Sequence, residues 1–179
     1  MAISSEKQQQ LGIEAFRAGD YEEAQVHFEA VLEMARAQGD RRKEAEALND
    51  LGVVQKEMDA LDIAFENLQT ALDIYGDLED DRGEGITLGN LGKVEEAQEK
   101  YEDAIQSYIE AAAIFEEIGE TEMAMYCWQA LSRLKMHQKD WVGAISAYEE
   151  GIAHLPNSSI KKKALQKLLQ APFNLMGRS

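Results

Sequence analysis

The sequence predicts an all-α protein built from a repeated pair of helices. Similar residues recur every 40 positions, and apolar residues within each repeat follow the three-and-four spacing of amphipathic helices. The strict alternation typical of β-strands is absent. The recurrence divides the chain without a gap into the units 1–40, 41–80, 81–120 and 121–160. We therefore expect residues 1–160 to form four stacked helical units.

Columns of small residues define the repeat most clearly. Leucine recurs once in each unit and is followed by a small residue: Leu11-Gly12, Leu51-Gly52, Leu91-Gly92 and Leu131-Ser132. Alanine follows each of these leucines at a fixed distance: Ala24, Ala64, Ala104 and Ala144. Small side chains let two helices approach closely, so we expect the alanine column to lie where the helices of a unit cross.

Each unit is predicted to be a helical hairpin. Polar or turn-forming pairs separate its two apolar runs: Gly19-Asp20, Asp59-Ala60, Glu99-Lys100 and Lys139-Asp140. Links this short favour antiparallel helices. Between units, Gly39 suits a left-handed helix end and Asp40 can cap the next helix. The corresponding corner at Glu79 lacks glycine, so we expect a less regular corner there. Ser5, with Gln8 three residues later, predicts a capping box at the start of the first helix.

The segment 161–179 is predicted to be a basic capping helix and tail. An apolar stripe indicates a helix from about residue 159 to residue 170, formed by Ile160, Ala164, Leu165, Leu168 and Leu169. Basic residues surround it, whereas residues 1–120 carry most of the acidic side chains. The simpler interpretation of these basic residues is a helix face exposed to solvent. The alternative is a surface that steers acidic ligands or contacts the acidic part of a second copy.

Composition excludes several classes of function. The chain has 34 Asp and Glu against 18 Lys and Arg, a formal charge of −16 that disfavours nucleic acid and anionic lipid partners. A single cysteine, Cys127, cannot form an internal disulfide. No run of apolar residues is long enough for membrane insertion, and the first residues do not resemble an export signal. We expect a cytoplasmic protein.

No catalytic or metal-binding constellation is apparent. His27, His137 and His154 lie in different helices without cysteines or carboxylates at metal-ligand spacing. Cys127 is interpreted as a buried apolar residue rather than a nucleophile. The sequence therefore predicts no metal, no cofactor and no enzymatic activity.

The repeat resembles the tetratricopeptide repeat family. The third unit carries the resemblance in Leu88, Leu91-Gly92, Tyr101, Ala104, Tyr108 and Ala111, and the fourth unit in Trp128, Leu131, Ala144, Tyr148, Gly151 and Pro156. The units are similar to the 40-residue subclass found in kinesin light chains and bacterial regulators. This resemblance implies a right-handed α-solenoid whose first helices line a concave groove that binds peptides or partner helices.

The resemblance also implies which residues face that groove. These candidate ligand-binding residues are Asn49, Asp50, Val53, Asn90, Lys93, Tyr126, Gln129, Arg133 and His137. Asn90 matches an asparagine that hydrogen-bonds the peptide backbone in similar proteins, while the equivalent positions hold Gln10, Asp50 and Ala130. For each residue taken singly, a solvated polar side chain is an equally good interpretation.

One partner class is disfavoured. Family members that clamp the C-terminal carboxylate of a chaperone use lysine, asparagine and arginine from three consecutive units. The matching positions here hold Gln9, Ile13, Asp50, Ile86 and Asn90, or, one unit later, Asn49, Val53, Asn90, Tyr126 and Ala130. We therefore expect no binding of a chaperone C-terminal carboxylate.

The leading hypothesis is a non-enzymatic adaptor, scaffold or assembly factor that binds a protein or peptide ligand in the groove. The alternative is a self-associating structural protein, a homo-oligomer held by its basic C-terminal segment.

Overall fold

The structure, a computed structural model, describes residues 3–153 of the 179-residue chain. These residues form eight α-helices and no strand. The helices are α1 (Ser5–Ala18), α2 (Tyr21–Gln38), α3 (Arg41–Glu57), α4 (Leu61–Asp77), α5 (Asp81–Ala97), α6 (Tyr101–Glu117), α7 (Thr121–His137) and α8 (Trp141–Ala153). The all-α prediction of helical hairpins is confirmed. The predicted capping helix, the basic tail and His154 lie outside the described residues.

The chain divides into two compact units, whose boundary lies within α6 between Ser107 and Tyr108. In the first unit, α1 packs on α2, α2 on α3, α3 on α4 and α4 on α5, while α3 also contacts α5. In the second unit, α7 packs on α8. Consecutive helices therefore form antiparallel pairs, as the short connections require.

Every connection between helices in residues 3–153 contains one residue in the left-handed conformation. Glycine occupies this position three times, at Gly19, Gly39 and Gly119, and other residues occupy it four times, at Asp59, Glu79, Glu99 and Lys139. The backbone N–H groups at each corner bond back to the carbonyl groups of the last helical turn. The same corner is therefore built with and without glycine.

The expectation of a less regular corner at Glu79 is wrong. The Glu79 N–H donates to the Gly76 carbonyl at 3.1 Å, and the Asp80 N–H donates to the Tyr75 carbonyl at 3.0 Å. The equivalent bonds at Gly39 are 3.2 and 3.0 Å long. The hydrogen-bonded corner outweighs the roughly 1–2 kcal/mol that a left-handed conformation costs a residue with a side chain.

Side-chain caps begin several helices. The carboxylates of Asp40 and Asp80 each accept a hydrogen bond, at 3.1 Å, from the backbone N–H three residues later. At the start of α1 the cap is Ser4, which accepts from the Lys7 N–H at 3.3 Å. The capping box predicted at Ser5 is therefore wrong: Ser5 is already helical, and the cap at Ser4 is followed three residues later by Lys7 rather than by Glu or Gln.

The small-residue columns lie at helix crossings. A Cβ atom on Gly12 would stand 2.7 Å from the ring of Phe28, and one on Gly52 would stand 2.6 Å from Leu68. Ala64, whose carbonyl oxygen also faces Gly52, is fully buried. In the second unit, the Ser132 hydroxyl donates to the Ala144 carbonyl at 2.7 Å. These contacts leave no room for larger side chains.

We expect Ala64→Leu to lower the free energy of unfolding by about 1–3 kcal/mol, because the added atoms must displace closely packed neighbours. Urea unfolding measures this change. Ala97→Leu, at an exposed position on α5, is the control and should change stability by less than about 0.5 kcal/mol. Equal stabilities of the two variants would contradict the assigned crossing.

We expect Glu79→Gly to raise the free energy of unfolding by about 0.5–1 kcal/mol, because glycine adopts the left-handed conformation without a steric cost. Glu66→Gly, in the exposed interior of α4, should instead lower stability by about 1 kcal/mol. Thermal unfolding of both variants measures the contrast. Destabilisation by Glu79→Gly would show that the glutamate side chain has another role.

Candidate functional site

The first helices of the three hairpins that begin at α1, α3 and α5 are joined by polar side chains. Gln9 on α1 donates its amide to the Asp50 carboxylate on α3 at 2.9 Å. Asn90 on α5 donates its amide to Asn49 Oδ1 at 3.0 Å. Lys93 Nζ in turn donates to Asn90 Oδ1 at 3.0 Å. We call Gln9, Asn49, Asp50, Asn90 and Lys93 the polar ladder.

The polar ladder follows from the repeat. Gln9 and Asp50 are 41 residues apart, and so are Asn49 and Asn90. A residue on one first helix therefore meets the position one repeat and one residue further along the chain. Each amide offers a donor and an acceptor, which allows the bonds to continue from helix to helix. The polar ladder thus spans α1, α3 and α5 at half-buried or exposed positions.

Asp50 is the electrostatically unusual member of the polar ladder. Burial, and after it the nearby negative charge of Glu46, raises the pKa of its carboxyl group from 3.8 to about 7. Hydrogen bonds from Asn49 and Gln9 act in the opposite direction. Asp50 therefore changes charge near neutral pH.

A second carboxylate between first helices behaves differently. Glu6 on α1 accepts a hydrogen bond from Lys43 on α3 at 2.8 Å, which lowers the pKa of Glu6 to about 2. The side chains of this pair reach solvent. The contrast with Asp50 arises because Glu6 has a cationic partner and water, whereas the donors to Asp50 are neutral amides.

A cavity of about 300 Å³ lies beside the polar ladder in the first unit. Its walls come from α1, α3, α4, the corner before α5 and the start of α5. They are formed by Gln9, Arg42, Glu46, Asn49, Asp50, Tyr75, Asp80, Arg82, Gly83 and Ile86. Most of these side chains are polar or charged, so the cavity suits a polar ligand group.

Gly83 and Tyr75 determine one wall of the cavity. A Cβ atom on Gly83 would stand 2.3 Å from the Tyr75 ring, so the ring occupies space that only glycine leaves open. The Tyr75 side chain is buried, and burial together with the charge of Glu46 raises the pKa of its phenol. Asp80 caps α5 through Gly83 N–H and also pairs with Arg42. The hydrogen bond and the ion pair of Asp80 thus fix the position of Gly83 in the cavity wall.

The structure brings together four of the nine predicted site residues: Asn49, Asp50, Asn90 and Lys93. Val53 lies one turn further along α3 and is half-buried. The other four are on α7 in the second unit: Tyr126, Gln129, Arg133 and His137. Tyr126 is 60% exposed, Arg133 and His137 are exposed, and Gln129 is half-buried.

The sequence did not identify most of the cavity wall. Arg42, Tyr75, Asp80 and Gly83 come from several elements, and none is among the groove positions that the resemblance implies. Gly83 could have indicated this wall from the sequence, since glycine inside a helix is unfavourable unless another group packs against its backbone.

Among residues 3–153, no group of three or more His, Cys, Asp or Glu side chains is placed to hold a metal ion. Cys127 is buried, in agreement with its interpretation as an apolar residue. His27 is half-buried, and its Nδ1 donates a 2.6 Å hydrogen bond to Gln8 Oε1. No helix in the described part of the chain has the length and apolar character needed to span a membrane.

The sequence model of the tetratricopeptide repeat family matches residues 7–77, which include three of the five ladder residues. Residues 7–77 are tetratricopeptide repeats. No curated protein sequence matches the chain.

Solved structures extend the fold assignment beyond the tetratricopeptide repeats matched by the family model. Aspartyl phosphate phosphatase F from Bacillus subtilis aligns with 93% of this chain and 44% of its own, at a TM-score of 0.81 and 15% identity. BtubC (BKLC) from P. vanneervenii aligns with 87% of this chain and 65% of its own, at a TM-score of 0.72 and 20% identity. The apo form of RapI aligns with 94% of this chain and 47% of its own, at a TM-score of 0.77 and 15% identity.

These similarities show the fold. The chain spans less than half the length of phosphatase F and of RapI. Tetratricopeptide repeats are protein–protein interaction modules, and residues 7–77 of this chain carry such repeats. The surface that binds a partner is therefore derived from the residues of this chain.

We expect Asp50→Asn to remove a pH dependence of stability. The pKa of Asp50 is raised on folding, so its contribution to stability is complete below about pH 4 and is lost as the pH rises to about 7. The stability of the variant relative to the wild type should therefore increase across this range, by on the order of 2–4 kcal/mol.

Urea unfolding at several pH values between 4 and 8 measures this difference. Asp73→Asn, at an exposed position on α4, is the matched control and should follow the wild type. A constant difference between Asp50→Asn and the wild type at all pH values would contradict the buried, proton-binding state of Asp50.

Proposed function

We propose that the chain is a non-enzymatic adaptor or assembly factor that binds an extended segment of a partner protein across α1, α3 and α5. The polar ladder is the observation that carries this proposal. Its amide side chains can donate to and accept from a polypeptide backbone, which presents one donor and one acceptor at each residue.

The bonds within the polar ladder explain how such a segment would be accommodated. Asn90 both donates to Asn49 and accepts from Lys93, so its amide is held in a defined orientation. A backbone N–H of the partner that replaces Lys93 as donor would find Asn90 Oδ1 already oriented to accept its hydrogen bond. Side chains that need little reorganisation lose less conformational entropy on binding.

The four predicted residues of α7 extend the proposal to the second unit. Tyr126 and Arg133 offer an exposed aromatic ring and a guanidinium group, which are the side-chain types most often responsible for affinity at interfaces. We propose that they contact the same partner protein.

Self-association through the basic C-terminal segment stays a prediction, because residues 161–179 lie outside the described part of the chain. A cytoplasmic location and the absence of binding to a chaperone C-terminal carboxylate likewise stay predictions.

We expect Asn90→Ala to reduce capture of a specific partner at least tenfold, because a backbone hydrogen bond and the ordered Lys93 are both lost. The measurement is chemical crosslinking in native lysate followed by quantitative mass spectrometry, with the full chain as bait. The double variant Asn90→Ala, Arg133→Glu should abolish capture if α7 also contacts the partner.

Gln25→Ala is the matched control for Asn90→Ala. It removes an amide from α2 that bonds only to Glu29 one turn away, at 2.7 Å. Capture should be unchanged in this variant. A partner retained equally by the wild type, Asn90→Ala and the double variant would move the binding surface away from the first helices.

A further inference from the structure

Two carboxyl groups face the cavity without forming a direct ion pair. Glu46 and Asp50 are one helical turn apart on α3 and therefore lie on the same face of the helix. Arg42, one turn earlier, pairs with Asp80 instead. Within the part of the chain that the structure describes, neither Glu46 nor Asp50 forms an ion pair with a lysine or arginine.

The repeat shows that the fold does not need a charge at position 50. The equivalent residues of the other units are Gln10, Asn90 and Ala130, all of them neutral. A carboxylate largely withdrawn from water costs stability unless a cation compensates it, whereas an amide at this half-buried position would keep the polar contacts with Gln9 and Asn49 at less cost. The negative charge is therefore suited to a group from outside the chain.

The size and shape of the cavity indicate how large that group is. A volume of about 300 Å³ is at the lower end of the range for ligand pockets, about 300–1,000 Å³. It suits one long side chain better than a complete small ligand. The mixed lining of Tyr75, Ile86 and carboxylates matches a basic side chain, whose apolar stem ends in a charged head.

We propose that the cavity lined by Glu46, Asp50 and Tyr75 receives a lysine or arginine side chain of the bound polypeptide. This proposal rests on the proposed function and adds a charge requirement to it. The polar ladder holds the backbone of the partner, and the cavity beside it selects a basic residue. Both carboxylates then gain an ion pair that residues 3–153 do not provide.

The other groups around the cavity do not supply the same compensation. Gln9 from α1 and Tyr75 from α4 are neutral at pH 7, and Asp80 at the corner before α5 is paired with Arg42. Arg82 lines the cavity from the first turn of α5, but it is not among the groups that shift the pKa of Asp50. The site for a cation is thus between the two α3 carboxylates.

Short peptides test the proposal directly. The probes are three blocked pentapeptides of alanine with arginine, lysine or citrulline at the centre, titrated into the full-length chain labelled with ¹⁵N. Citrulline keeps the shape of arginine and removes its charge. We expect arginine or lysine to shift the side-chain amide signals of Gln9 and Asn49, and citrulline to bind at least tenfold more weakly. Equal binding of citrulline and arginine would overturn the proposal.

Asp50→Asn should weaken the arginine or lysine peptide at least tenfold, while Asp73→Asn on the exposed face of α4 should not. Since Asp50→Asn is expected to be at least as stable as the wild type at neutral pH, lost binding would not reflect unfolding. Thermal unfolding of the same sample verifies this. Undiminished binding by a folded Asp50→Asn protein would also overturn the proposal.

The pH dependence gives a second readout. A peptide cation that binds only the ionised form of Asp50 should bind about tenfold more tightly at pH 8 than at pH 6, because the pKa of Asp50 is about 7. Arginine and lysine keep their charge throughout this range. Binding that is equally strong at both pH values would contradict a role for the Asp50 charge.

Failure of this proposal can be distinguished from failure of the proposed function. If Asn90→Ala loses the captured partner and Asp50→Asn retains it, the ladder binds a segment and the basic subsite is wrong. If neither variant loses it but the arginine peptide binds as expected, the cavity is correct and the partner surface is wrong.

Discussion

The close approach of the two helices within each hairpin is the constraint on which the rest of the structure depends. At Gly12 and Gly52 an added Cβ atom would stand 2.7 and 2.6 Å from the side chains of Phe28 and Leu68, so these two crossings require a very small residue. The crossing recurs with the 40-residue period and fixes how each first helix is presented to the next. This is why side chains 41 residues apart, such as Gln9 and Asp50, meet across neighbouring hairpins.

The helical part of the fold could be predicted because its signals are local. Apolar spacing and the turn-forming pairs identify the hairpins, and Asp40 caps α3 as expected. The corner at Glu79 could not be predicted from residue preference. Its backbone hydrogen bonds and the Asp80 cap come from the repeated corner as a whole, and they override the preference for glycine at a single position.

The candidate site could be predicted only in part. Asn49, Asp50, Asn90 and Lys93 were found because they occupy repeat-equivalent faces of first helices, a property visible in the sequence. The cavity depends on the Tyr75 ring, which lies over Gly83 from another helix. That contact has no counterpart in the columns of the repeat. The burial and raised pKa of Asp50 are consequences of this packing, so they could not be inferred from sequence spacing.

Buried polar groups elsewhere in the first unit show why Asp50 is different. Asn67 donates to Gln55 at 2.7 Å, and Ser107 donates to Glu95 at 2.6 Å, in both cases between helices of one hairpin and 12 residues apart. Each such pair matches a donor to an acceptor inside the chain, which is what stability requires of buried polar groups. Asp50 has its hydrogen bonds as well, yet its charge lies next to that of Glu46 and forms no ion pair within residues 3–153. The first unit thus satisfies these polar groups internally but leaves the charge of Asp50 without an ion pair beside a cavity, and the proposed basic side chain of a partner would account for this difference.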